Sequence, residues 1–308
     1  MRYKGEDVKK ILVLLSTYNG EKYVAEQIES ILKQNKTKME ISILVRDDGS
    51  TDKTCLILEE YKKKNKLEWY SGDNLKSAKS FVDLIFHAGT EYDYYAFCDQ
   101  DDYWCHNKLY ESIIKMENDN IEIPKICYCN IEVVNKNREH INTKKISDRY
   151  KYFDEMMLTY CVPGCTMVFN NALLKIARKH RPQEVTMHDC WIYFLCVAIG
   201  GQIYSTEYVG IQYRQHEDNV VGATRISTKR KIRMIFGERN CLRKKMVAEI
   251  LEQFKEDLKD GEELNCLKIF SEYSDSFIKK VKILKIKNKM APKRAFIKSK
   301  LRVMFNSL

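Results

Sequence analysis

The chain has 308 residues, 44% of them hydrophobic, with only 12 glycines and 4 prolines, which excludes a collagenous, low-complexity or linker-rich protein. Its 53 Lys and Arg outnumber 43 Asp and Glu for a formal net charge of +10, yet the excess is local: residues 224–308 carry 23 basic and 10 acidic side chains, and residues 1–223 carry 30 and 33. That distribution speaks against a chain-wide groove for nucleic acid, and the length allows one large core or two small ones.

In chain order, Ile11–Leu15 is a short apolar run that ends in Ser16-Thr17-Tyr18-Asn19-Gly20, the pattern of a buried parallel strand entering a turn. Val24, Ile28, Ile31 and Leu32 then form the stripe of an amphipathic helix. A second strand, Ile41–Val45, leads into Arg46-Asp47-Asp48-Gly49-Ser50, with Ser50 or Thr51 expected to cap a helix that runs to about Lys63. Leu67–Tyr70 is a third strand, and Ala78, Phe81, Val82 and Ile85 line a third helix. A fourth strand, Tyr94–Cys98, stops abruptly at Asp99-Gln100-Asp101-Asp102. This alternation predicts an α/β fold, a doubly wound parallel sheet whose ligands lie beyond the carboxyl ends of its strands.

After a helix around Leu109–Met116 the pattern becomes mixed. It predicts strands over 126–129, 162–169, 202–205 and 208–213, helices over 171–179 and 188–199, and a polar stretch without an element at 135–152. Beyond Gly222 the chain reads as helical and charged, so the expected division is a catalytic region, 1–222, and a basic helical extension, 223–308. The 11 cysteines are odd in number and sit mostly in apolar runs, so they read as small hydrophobes in a reducing compartment. The start, MRYKGEDVKK, lacks the apolar core of a signal peptide, and no stretch is apolar enough to span a bilayer.

Three strand ends, STYNG, DDGS and DQDD, are where chemistry is expected. Asp99, Asp101 and Asp102 repel one another unless a cation neutralises them; hard Mg²⁺ or Mn²⁺ suits such oxygen ligands and leaves positions for a diphosphate, although a solvated acidic turn has the same composition. Asp47 and Asp48 fit either a helix start or a carboxylate accepting the imide N–H of uracil or thymine, with Tyr18 stacked on the base.

Six segments in this order resemble glycosyltransferase family 2: LLSTYNGEKYVAEQIESILKQ (14–34), VRDDGSTDKT (45–54), FCDQDDYW (97–104), VPGCTMVFN (162–170), HDCW (188–191) and YRQHEDNVVG (213–222). The resemblance implies a GT-A type nucleotide-sugar fold and an inverting mechanism, and the set is similar to the rhamnosyltransferase-like branch that builds bacterial surface polysaccharides. By motif, it implies that Ser16 and Tyr18 contact the nucleoside, Asp48 the pyrimidine and Asp99 the ribose or a metal-bound water. Asp101 becomes the direct ligand of Mn²⁺ or Mg²⁺, Asp102 assists, and Asp189 is the catalytic base. His216 is a candidate third ligand or diphosphate contact, Arg214 its counter-charge, and Asn219 and Gly222 suggest a loop that orders over the donor. Asp189 should begin a helix, where the dipole weakens its hold on a proton. Lys76 stands where the family often has glycine, and His106 where it often has proline.

From Lys279 to Leu308 there are 11 basic residues and no acid, interleaved with Ile278, Val281, Ile283, Leu284, Ile286, Phe296, Ile297, Leu301, Met304 and Phe305. Such a stretch suits an anionic membrane surface or a solvated helix packed on the domain. The expectation is therefore a metal-dependent inverting glycosyltransferase. It takes a UDP- or dTDP-sugar, rhamnose being the sugar that the resemblance implies, and a glycan or polyprenyl-linked acceptor, and works in the cytoplasm at the inner face of the cell membrane without nucleic acid. The competing readings are a sugar nucleotidyltransferase, against which STYNGEKY lacks a Gly-rich basic triphosphate loop, and a membrane- or nucleic-acid-binding protein without catalysis.

Overall fold

The computed structural model describes residues 8–117, 120–146, 152–159, 162–215, 242–289 and 291–305. The four apolar runs become β1 (Lys9–Thr17), β2 (Met39–Asp47), β3 (Glu68–Ser71) and β4 (Tyr94–Asp99), joined by α1 (Val24–Leu32), α2 (Thr54–Lys63) and α3 (Lys76–His87). β1 lies between β2 and β4, parallel to both, and β3 continues the parallel set beyond β2. Leu12 and Leu14 enter one core while Ile11, Val13 and Leu15 enter the other. Burial on both faces is why the run shows no polar alternation.

The second half adds β5 (Tyr103–Trp104), α4 (Lys108–Glu117), β6 (Lys125–Val134), β7 (His140–Lys144), α5 (Phe153–Leu158), β8 (Met167–Asn170), α6 (Asn171–Ala177), α7 (His188–Ala198) and β9 (Gln202–Arg214). β8 runs antiparallel to β4 and β6, and β6 runs parallel to β9. The sheet order is β3-β2-β1-β4-β8-β6-β9-β5, with β7 paired to β6 off this path. It is a mainly parallel α/β sheet with helices on both faces.

Local chemistry redraws several predicted boundaries. Pro163 leads into a 3₁₀ turn, Gly164–Thr166, so only the end of the expected 162–169 strand is extended. The two strands expected at 202–205 and 208–213 are one, β9, which stays paired to β6 through register shifts opposite Tyr128–Ile131. β7 occupies the stretch expected to be bare; its five residues are all exposed, so no apolar alternation announced it. Neither Ser50 nor Thr51 caps α2, because the Ser50 hydroxyl bonds the Asp47 carboxylate and Asp52 accepts the Thr54 N–H instead.

The C-terminal region is helical: α8 (Leu242–Gln253), α9 (Glu262–Ser271), α10 (Phe277–Lys285) and α11 (Lys293–Met304). Met246, Ile250, Leu267, Phe270, Ile283, Phe296 and Val303 enter the same core as α3, α5, α6 and α7, while α1, α2 and α4 cover the other face of the sheet. α7 is buried from His188 to Ala198, which explains a sequence apolar on nearly every side. The expected division at residue 222 falls outside the described residues. Among the described residues no helix is long and apolar enough to cross a membrane, and the nine described cysteines are unpaired.

Candidate active site

Strand register brings the three polar loops together. Ser16 pairs with both Arg46 and Asp99, and Thr17 with Asp47, so β1, β2 and β4 end along one line. Gln100 ties two of the loops: the Tyr18 N–H donates to its Oε1 at 2.9 Å and its Nε2 donates to the Tyr18 carbonyl at 3.0 Å. This leaves the Tyr18 ring 47% exposed at the edge of the site, a free face for a planar base. The Ser16 hydroxyl shares a 2.7 Å hydrogen bond with that of Ser80.

The first acidic pair is closed by donors. Asp47 accepts from the Thr17 hydroxyl at 3.0 Å, the Gly49 and Ser50 N–H groups at 3.1 and 2.8 Å, and the Ser50 hydroxyl at 2.5 Å. Gly49 makes the turn possible with φ +80°. Asp48 is buried, with Arg46 on one oxygen and the Lys76 N–H on the other at 2.9 Å. Arg46 in turn donates to Asp83 and to the Asp73 carbonyl, both at 3.0 Å. Lys76 holds this position at φ +67°, the left-handed region that explains the family's preference for glycine there.

The second acidic loop has the opposite character. Carboxylate oxygens of Asp99 and Asp102 and the Cys165 thiol lie within 4.8 Å of one another. Asp102 is fully buried; one oxygen accepts the Arg214 N–H at 3.2 Å, and the other, Oδ2, has no hydrogen-bond partner among the described residues. Burial, followed by the charges of Asp101 and Asp189, pushes Asp99 above the usual carboxylate range. Burial and the charges of Asp101 and Asp99 push Asp102 well above it. An orphaned buried carboxylate oxygen beside crowded acids fits a hard divalent cation. Burial also raises the Cys165 thiol well above its ordinary value, and its sulfur is a softer donor than the neighbouring carboxylate oxygens.

Arg214 braces this loop. Its Nε donates to the Asp101 carbonyl at 3.0 Å, Nη1 to the Lys136 carbonyl at 2.7 Å and Nη2 to Glu26 at 2.5 Å, with the guanidinium over the Tyr23 ring. Lys108 lies buried beneath the acids with its Nζ 3.2 Å from the Trp104 ring centroid and no hydrogen-bond acceptor among the described residues. Burial lowers its pKa.

Asp189 is the second residue of α7, 8% exposed, and accepts the Gly164 N–H at 3.0 Å and the Cys190 N–H at 2.6 Å. Burial pushes its pKa up to about 6 against these hydrogen bonds. The direction is opposite to the dipole expectation, because desolvation in a packed core outweighs the field of a helix start. An Asp at that value is still ionised at neutral pH and holds a proton better than an ordinary carboxylate. Gly164 allows the approach: a Cβ there would lie 2.3 Å from His188 Nε2. His188 is stacked on Phe81 and edge-on to Phe97, and burial pushes its pKa down to about 3, so it is neutral packing beside Asp189.

The site thus gathers Ser16, Tyr18, Asp48, Asp99, Asp101, Asp102, Asp189 and Arg214 around the strand ends; His216, Asn219 and Gly222 lie outside the described residues. Sequence reasoning missed Arg46, Gln100, Lys108 and Gly164. Gln100 and Gly164 sit inside the quoted motifs, and Lys108 occupies a stripe position with Leu109, Ser112, Ile113 and Met116. Nothing local marks Arg46 as the partner of Asp83.

A mainly parallel sheet with acidic loops at its carboxyl edge and a helical C-terminal region is the architecture of GT-A glycosyltransferases. The structure of TarS 1-349 from S. aureus in complex with UDP-GlcNAc superimposes with a TM-score of 0.59 at 19% identity, covering 94% of this chain and 79% of that one. The mannosyltransferase PcManGT from Pyrobaculum calidifontis, in complex with GDP-Man and Mn²⁺, gives 0.53 at 14% identity over 95% and 73%. These likenesses establish the fold. Residues 12–176 match the family described as Glycosyl transferase family 2. A dTDP-rhamnosyl transferase, RfbG of Shigella flexneri, is 32% identical over 79% of this chain and 85% of its own length. The Escherichia coli UDP-Glc:alpha-D-GlcNAc-diphosphoundecaprenol beta-1,3-glucosyltransferase WfgD is 29% identical over 53% of this chain and 61% of its own. The chain belongs to glycosyltransferase family 2.

Proposed function

We propose that this glycosyltransferase moves one sugar, with inversion, from a UDP- or dTDP-sugar to a hydroxyl of a surface glycan or polyprenyl-linked acceptor. The observation that carries the reading is the turn that joins Asp189 to the acidic loop: Asp189 accepts the Gly164 N–H at 3.0 Å, and the thiol of the next residue, Cys165, lies within 4.8 Å of carboxylate oxygens of Asp99 and Asp102. A base and a diphosphate-binding acid cluster then address the two ends of one displacement. The acceptor oxygen attacks the anomeric carbon, its proton passes to an Asp189 carboxylate oxygen, and the bond from that carbon to the diphosphate oxygen breaks. No protein nucleophile is needed.

In this reading Tyr18 stacks on the pyrimidine, Ser16 and Asp48 hold the nucleoside, and Asp99 faces the ribose. Asp101, Asp99 and His216 hold Mn²⁺ or Mg²⁺, with Asp102 assisting. A bound cation supplies charge stabilisation to the departing diphosphate. Arg214 keeps Asp101 and Asp102 in register. Residues 1–222 act as the catalytic region and 223–308 as its helical extension. The similarity to a dTDP-rhamnosyl transferase over most of both chains supports rhamnose and dTDP. The similarity to a glucosyltransferase acting on a diphosphoundecaprenol acceptor supports a lipid-linked acceptor at the cytoplasmic face of the cell membrane.

The test incubates the protein with Mn²⁺, a panel of UDP- and dTDP-sugars and polyprenyl-diphosphate-linked saccharides. Release of nucleoside diphosphate coupled to a lengthened saccharide of inverted anomeric configuration supports the reading. Pyrophosphate exchange without a glycosidic product sinks it in favour of nucleotidyl transfer.

A further inference from the structure

α10 and α11 each present apolar residues to two sides. Ile283, Phe296 and Val303 are buried in the core shared with α7. Phe277 is nevertheless 80% exposed and Ile278 70%, with Ile297, Leu301, Met304 and Phe305 between 38% and 52%. On α11 the exposed set Ile297, Leu301 and Met304 repeats at i, i+4 and i+7, a stripe separate from the buried stripe of Phe296, Ser299 and Val303. Half of the twelve large hydrophobic side chains exposed among the described residues fall within 277–305, so this is a patch and not scatter. The same stretch of sequence, Lys279 to Leu308, has 11 basic residues and no acidic one.

The patch is held rigidly. The Glu155 carboxylate, buried on α5, accepts the backbone N–H groups of Lys289, at 2.9 Å, and Ala291 between the two helices. Lys300 Nζ donates to the Leu284 carbonyl at 2.5 Å and Lys280 Nζ to the Met304 carbonyl at 3.2 Å, tying α10 to α11. α5 packs through Phe153 on Tyr193 and Phe194 of α7, the helix that begins at the candidate base.

We propose that the exposed face of α10 and α11 is a docking surface for an anionic lipid bilayer. The apolar stripe enters the boundary between headgroups and acyl chains, and the surrounding lysines and arginines pair with lipid phosphates. Charge complementarity selects this occupant. A second copy of the chain would set two lysine- and arginine-rich faces against each other, with no acidic residue between Lys279 and Leu308 to offset them. A nucleic acid would match the charge but leave Ile278, Ile297, Leu301 and Met304 against phosphates and sugars. Because Glu155 and the α5–α7 packing fix the face relative to Asp189, docking also orients the catalytic site over the surface. The proposal complements the lipid-linked acceptor reading but does not depend on it, and its test uses neither donor nor acceptor.

The test is co-sedimentation of the full chain with vesicles of phosphatidylcholine alone or mixed with phosphatidylglycerol. Binding to the mixed vesicles, weakened by raised salt and at least about 10-fold poorer to phosphatidylcholine, is expected. Ile297→Asp/Leu301→Asp should reduce that binding about 10-fold or more, as should Lys293→Glu/Arg294→Glu. Both double variants should melt within a few degrees of wild type, because these positions contribute little to the core. Equal sedimentation of wild type and correctly folded variants would falsify the proposal, as would absence of wild-type binding. Equal affinity for both vesicle types overturns the electrostatic part. A concentration-dependent dimer that the Ile297→Asp/Leu301→Asp change dissociates, without vesicle binding, assigns the face to a second copy instead. If glycosyl transfer fails while vesicle binding follows this pattern, only the catalytic reading falls.

Discussion

Two acidic loops stand at the ends of neighbouring strands, and they solve the problem of packed carboxylates in opposite ways. At the end of β2 each acid is surrounded by donors: four N–H and O–H groups on Asp47, and Arg46 with the Lys76 N–H on Asp48. At the end of β4 the acids face one another, Asp102 Oδ2 has no hydrogen-bond partner among the described residues, and the pKa values of Asp99 and Asp102 rise. The first loop is complete as folded. The second leaves a buried carboxylate oxygen without a donor among the described residues, a surplus that the cation of the proposed reaction would offset. Residue type alone therefore does not identify a ligand; the supply of donors around it does.

The comparison breaks most sharply at the residues joined to the second loop. Asp189→Asn removes the proposed proton acceptor and should lower turnover roughly 10²- to 10⁴-fold; because each carboxylate oxygen accepts a backbone N–H, it should also cost about 1–2 kcal/mol of stability. Wild-type turnover should fall on the acid side with an apparent pKa near 6, because Asp189 must be ionised and burial holds its pKa there. An acid limb near 4 overturns the raised pKa, and near-normal turnover of the Asn variant removes Asp189 as the base. Asp101→Ala should cost about 10²- to 10³-fold in turnover, and a chelator should silence the wild type until Mn²⁺ is restored. Turnover indifferent to chelation would give the acidic loop a purely structural meaning.

Stability should separate the loops with opposite signs. Asp47→Ala removes the acceptor of the buried Thr17 hydroxyl and of the partly exposed Gly49 and Ser50 N–H groups, and should cost about 1–2 kcal/mol. Asp102→Asn keeps an oxygen for the Arg214 N–H and removes a buried acid that ionises more readily unfolded than folded, so the metal-free protein should gain on the order of 1 kcal/mol near neutral pH. The sign follows from linkage. A carboxyl whose folded pKa is raised gives full stability below its unfolded value and loses it as pH rises through the folded pKa, so the Asn variant's advantage should grow from acid to neutral pH. Thermal melts of chelated protein at pH 5 and 8 measure it; an advantage that shrinks with pH contradicts the raised pKa of Asp102.

How much of this was legible beforehand follows from range of interaction. β1, β2 and β4 announced themselves because strands buried on both faces need continuous apolar runs, and the motifs at their ends marked the loops that the strand register brings together. β7, exposed throughout, and β5, two residues held by β9, carry no such pattern. The proton affinity of Asp189 was misjudged in direction because a rule about helix starts is local, whereas its burial depends on Gly164 and the packing around α7. The brace of Arg214 on the acidic loop joins residues 112 positions apart, a separation no window reaches.

The smallest effect tests how complete the first loop is. Lys76 sits at φ +67° and gives its N–H to Asp48, so its backbone, not its side chain, closes the turn. The left-handed conformation costs a residue with a Cβ about 1–2 kcal/mol, and glycine escapes that strain. Glycine also loosens the unfolded chain, which returns roughly 0.4–1 kcal/mol of the gain. Lys76→Gly should then raise stability by about 0.5–1 kcal/mol while preserving the bond to Asp48. A denaturant melt reads the difference directly. A loss of stability would mean that the Lys76 side chain, and not only its N–H, holds the loop, and the claim that backbone and Arg46 donors complete it would fail.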